Sequence, residues 1–68
     1  MKHALSPRQV EVMRLLCRGL TDKEVASKTG LTVLTVGEYV KQIRIRLHAR
    51  NRVQAAVIFS VRRTVLIK

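Results

Sequence analysis

Apolar residues recur along this chain at the three- and four-residue spacing of helices, broken by short polar segments that carry capping and turn signals. Ser6-Pro7-Arg8-Gln9 is a helix start: Ser6 can cap, Pro7 suits the first helical position, and Gln9 completes a capping box. Val12, Met13, Leu16 and Cys17 follow at helical spacing, with Leu20 beyond, and Gly19 supplies the stop, which predicts a first helix over about 7–18. Thr21-Asp22-Lys23-Glu24 is a second capping box, opening a helix over 22–29 that Gly30 can close by taking a positive φ. Thr32 can cap a third helix, about 33–47, in which Val36, Val40, Ile43 and Leu47 fall at offsets 0, 4, 7 and 11 on one core-facing stripe. Asn51 can cap a fourth, about 51–61. The tail 62–68 fits a strand, a disordered end or two further turns of helix four. The pattern predicts one all-α domain of four helices with short connections.

Residues 21–41 carry the most specific signal. Two short helices joined by a tight turn, with the small Ala26 at the crossing and Val36 and Val40 as packing teeth, have the layout of a helix-turn-helix. In that motif the second helix is built to enter the major groove of DNA. With the stripe turned inward and about 100° per residue, the opposite side presents Leu34, Glu38, Lys41 and Ile45, flanked by Gly37 and Gln42.

Charge points the same way. Fourteen Lys and Arg against four acids give a net charge of +10 in 68 residues, well beyond what solubility requires and suited to a polyanionic partner. The excess is uneven: residues 31–68 hold eight basic groups and a single acid, Glu38. Only one Tyr and one Phe are present, which argues against stacking recognition of single strands.

Other chemistry lacks its parts. Cys17, the only cysteine, reads as a small core residue of helix one. His3 and His48 stand in a terminus and a loop with no carboxylate or thiol at ligand spacing, and no Gly-rich phosphate loop occurs, so no metal, cofactor, small-molecule ligand or enzymatic activity is expected. Neither a signal peptide nor a transmembrane run is evident, and a cytoplasmic, nucleoid-associated protein without a membrane partner is expected.

Leu5-Ser-Pro-Arg-Gln-Val-Glu-Val-Met, Gly19-Leu-Thr-Asp-Lys-Glu-Val-Ala, Leu31 through Val40 and Asn51-Arg-Val-Gln-Ala-Ala resemble, in order and spacing, the LuxR/GerE-type helix-turn-helix DNA-binding domain of bacteria. The resemblance covers residues 5 to about 60. The region-4 domain of sigma factors is similar in its front half, but the Asn51–Ala56 segment belongs to the LuxR/GerE pattern. The resemblance implies a four-helix unit whose third helix reads DNA and whose fourth forms a two-fold dimer, in a transcription regulator of inverted-repeat sites. It is compatible with a free-standing GerE-like regulator and with an excised C-terminal domain. The departures are informative. Gln9 stands where the family usually has an acid, and Thr35-Val36-Gly37-Glu38-Tyr39-Val40 where it commonly has Thr-Val-Lys-x-His-Val. A long cationic arm is therefore replaced by Gly37, and its neighbour is an acid.

Candidate roles follow. Lys41 matches the family's second recognition lysine and can donate to guanine, Glu38 can accept from cytosine N4, Leu34 can lie against a thymine methyl, and Gln42 is a candidate for adenine. Gly37 completes the base-contact candidates by position. Lys23, Thr35, Arg46, Asn51 and Arg52 match backbone-contacting positions, with Tyr39 as a hydroxyl donor in place of the usual His. Helix four is apolar over much of its circumference, which predicts a homodimer through Val57, Ile58 and Val61. The rival reading is a protein-interaction module of the same fold, holding RNA polymerase or another regulator, for which Gly37 and Glu38 are the support.

Overall fold

The computed structural model describes residues 5–66, with side chains to residue 61. Four helices appear in this span: α1 (Pro7–Cys17), α2 (Asp22–Thr29), α3 (Val33–Arg46) and α4 (Arg52–Leu66). The expected helices are all present. The largest difference is in α4, which continues through residue 66, so the helical option for this part of the tail holds; residues 67 and 68, and the terminal His3, lie outside the described residues.

Each boundary has a local cause. Ser6 Oγ accepts the Gln9 N–H while Gln9 Oε1 accepts the Ser6 N–H, and Thr21 and Glu24 repeat this reciprocal box at the start of α2. Thr32 caps α3 through the Thr35 N–H at 3.1 Å, and Asn51 Oδ1 accepts the Gln54 N–H at 2.8 Å to start α4. Gly30 ends α2 at φ 77°, where a Cβ would be strained. The end of α3 uses a bulkier residue for the same job. His48 sits at φ 57°, and the bonds Ala49 N–H to Arg44 C=O and His48 N–H to Ile45 C=O close a Schellman turn.

Two apolar clusters share α1 and α3 as a common spine. Leu5, Val10, Met13, Ile43, Leu47, Ala55 and Phe59 form the first, under α4; Val12, Val25, Ala26, Val36 and Val40 form the second, under α2. The stripe of α3 is therefore buried as expected, divided between the two clusters. Ala26 is small and buried at the α2–α3 crossing, which lets the two helices of the motif approach closely. Phe59, fully buried, fixes α4 against the spine.

Cys17 corrects the sequence reading. It is exposed, because α1 turns its buried side along Val10, Met13 and Leu16, and Cys17 falls to the edge facing α4. There its thiol lies 3.8 Å from the Ala56 carbonyl oxygen and 4.0 Å from Ser60 Oγ.

Candidate nucleic-acid interface

The turn at Gly30 and the cap at Thr32 fix how α3 leaves α2, and the burial of Val36, Val40 and Ile43 fixes its rotation. The remaining side faces solvent. Leu34 is 77% exposed and Ile45 67%, and Gly37, Glu38 and Lys41 between them are also exposed. These residues form one outward ridge at helical spacing, the geometry needed to place side chains against base edges in a major groove. Ile45, eleven residues after Leu34, ends this outward side as the sequence spacing implies.

The charges on the ridge are separately available. Among the described residues the ion pairs are Arg8–Glu11 and Arg52–Asp22, so Glu38 and Lys41, three residues apart, do not neutralise one another. An exposed carboxylate accepts hydrogen bonds only and an exposed ammonium donates only, so the two positions offer opposite readout chemistry.

Gln42 is placed differently. Its Oε1 accepts from Nε2 of the buried Gln9 at 3.2 Å, which ties the flank of α3 to the start of α1. The neutral amide at position 9 serves as both acceptor, for the Ser6 N–H, and donor, for Gln42. A carboxylate can do only the first.

The backbone-contact candidates lie at the start of α2, along α3 and at the start of α4. Thr35 is half-buried and its hydroxyl accepts from Thr32 Oγ1 at 2.9 Å; Tyr39 is half-buried against the α2–α3 cluster. Lys23 is exposed in the first turn of α2, and Arg46 is exposed in the last turn of α3. Asn51 uses its Oδ1 as the α4 cap. Arg52 forms a forked ion pair with Asp22 and thereby stands beside the Lys23 end of α2, although 29 residues separate the two cations in the chain.

Helix α4 has two distinct sides. Ala55 and Phe59 are buried, whereas Val53, Val57 and Val61, four residues apart, are 70%, 57% and 78% exposed. Of the expected interface residues, Val57 and Val61 are on this outer ridge. Ile58 is half-buried against the first cluster and is shared with the core, and Val53 takes its place on the ridge.

Residues 3–59, most of the chain, match the family GerE, described as bacterial regulatory proteins, luxR family. The chain belongs to the luxR family. Its helix-turn-helix is accordingly a DNA-binding unit of transcription regulation. Among its relatives, the two-component response regulator PprB of Pseudomonas aeruginosa is 45% identical over 56 residues, covering 82% of this chain and 20% of PprB. The transcriptional regulatory protein LnrK of Bacillus subtilis is 43% identical over 58 residues, covering 85% of this chain and 26% of LnrK. The response regulator protein VraR of Staphylococcus aureus is 32% identical over 53 residues, covering 78% and 25% respectively. The chain thus spans about a fifth to a quarter of the length of these luxR-family relatives. No helix among the described residues is long and apolar enough to cross a membrane, and no group of three or more His, Cys, Asp or Glu among them is placed to hold a metal ion.

Proposed function

We propose that this luxR-family chain binds double-stranded DNA sequence-specifically as a homodimer, inserting α3 into successive major grooves of an inverted-repeat site in the bacterial cytoplasm. The observation that carries the reading is the outward ridge of α3, Leu34–Glu38–Lys41–Ile45, held clear of the core by the burial of Val36, Val40 and Ile43. Lys41, Glu38, Leu34, Gly37 and Ile45 are the base-facing positions, and Gln42 contributes chiefly by anchoring α3 to Gln9. Lys23, Thr35, Tyr39, Arg46, Asn51 and Arg52 hold the phosphates on either side of the groove.

The outer ridge of α4 supports the homodimer. Val53, Val57 and Val61 are large apolar groups left in water by the monomer, and an isologous contact buries the same ridge on both copies. Such a dimer reads an inverted repeat if it holds its two α3 ridges about one DNA helical repeat, ~34 Å, apart.

Glu38 favours a second reading. An acid at the centre of the ridge, beside the armless Gly37, weakens phosphate attraction and suits a protein surface such as RNA polymerase or another regulator. Enrichment of binding sites from random duplexes at ~150 mM salt decides between them. A recovered palindrome supports the DNA-reading dimer; recovery flat across sequences contradicts it.

A further inference from the structure

Helices α2 and α4 share neither apolar cluster: α2 packs on Val12, Val36 and Val40, and α4 on Met13, Ile43 and Leu47. Their starts are nevertheless joined by a side-chain link. Both terminal nitrogens of Arg52 donate to the two carboxylate oxygens of Asp22, Nη1 to Oδ2 at 3.4 Å and Nη2 to Oδ1 more closely. The fork is not buried. The Arg52 side chain is 48% exposed and that of Asp22 30%.

A forked pair of this kind does two things. It uses two of the five N–H donors of the guanidinium and leaves the others pointing away from the carboxylate. It also holds a long, rotamer-rich side chain in one place, so less entropy is lost when those donors meet an anion. Arg52 is thereby held at the first turn of α2, on the border between the helix-turn-helix and α4.

We propose that Asp22 is a positioning residue for DNA binding: it holds the Arg52 guanidinium at the start of α4 so that its unused N–H groups engage a DNA phosphate. The inference rests on the DNA-binding reading and names how one phosphate contact is built. It also makes a counter-intuitive demand. Removing an acid from a DNA-binding surface ordinarily strengthens binding, because one repulsion of the phosphates is lost. Positioning requires the opposite sign.

The test is a double-mutant cycle. Duplex DNA is titrated by fluorescence anisotropy over roughly 50–200 mM salt with the parent chain, Asp22→Asn, Arg52→Ala and the double variant, and circular dichroism monitors folding at the titration temperature. Arg52→Ala is expected to weaken binding and to reduce the slope of log K against log salt by ~0.9, the loss of one phosphate contact. Asp22→Asn is expected to weaken binding roughly fivefold in the parent background and not to weaken it in the Arg52→Ala background, where only the lost repulsion of the phosphates remains. Tighter binding by Asp22→Asn in the parent background, an equal effect in both backgrounds, or an unchanged slope on losing Arg52 overturns the inference. Unfolding of Asp22→Asn at the titration temperature assigns the pair a structural role and overturns it as well. A parent chain that shows no salt-dependent binding instead fails the DNA-binding reading itself.

Discussion

Gln9 in α1 donates its side-chain amide to Gln42 in α3 at 3.2 Å, across 33 residues of sequence, while its carbonyl oxygen closes the capping box of α1. One buried amide therefore sets the start of α1 and ties down the flank of α3. Gln42→Ala is expected to lower stability by about 0.5–1.5 kcal/mol, the net worth of one such hydrogen bond, read from urea denaturation. Its effect on base preference should be smaller than that of Lys41→Ala, measured by competition between single-base variants of the bound site.

Gly37 lies inside α3, exposed, with nothing within 4 Å of where a Cβ would stand. Gly37→Ala is therefore expected to stabilise the domain by about 1 kcal/mol, through helix propensity and a less flexible unfolded chain, seen as a higher melting temperature. Gly37→Lys adds a cation to the ridge and should steepen the salt dependence of DNA binding by ~0.9 in log–log slope if it reaches a phosphate.

Phe59 and Val57 are two positions apart on α4 and face opposite ways, one fully buried and one 57% exposed. Phe59→Ala should cost about 3–5 kcal/mol, a large part of the stability of so small a domain, and leave much of the chain unfolded by circular dichroism. Val57→Glu should leave the monomer folded and shift sedimentation from dimer to monomer. A Val57→Glu chain that still sediments as a dimer places the interface elsewhere.

The scaffold was legible in the sequence because its signals are local. Capping boxes at Ser6 and Thr21, the cap at Thr32 and the αL glycine at position 30 act within four residues, and the Val36–Leu47 stripe needs only helical periodicity. Cys17 and Ile58 were harder to place because they lie at the margin of an apolar arc, where the neighbouring helix decides burial. The exposure of Cys17 depends on where Ala56 and Ser60 arrive, some forty residues later. The side-chain links Gln9–Gln42 and Asp22–Arg52 have no local signature, since each joins residues of ordinary surface type that only the packing of the spine brings together. The end of α4 was ambiguous because β-branched residues such as Val61, Thr64, Val65 and Ile67 suit strands as well as helices.

Base reading by the outward ridge of α3 is checked by selecting sites from random duplexes in parallel with the parent chain, Lys41→Ala and Glu38→Ala. One palindrome is expected for the parent, with altered preference at a symmetric pair of positions for each variant: loss of a guanine for Lys41→Ala and loss of a cytosine for Glu38→Ala. Identical sequence preference for all three proteins would contradict it.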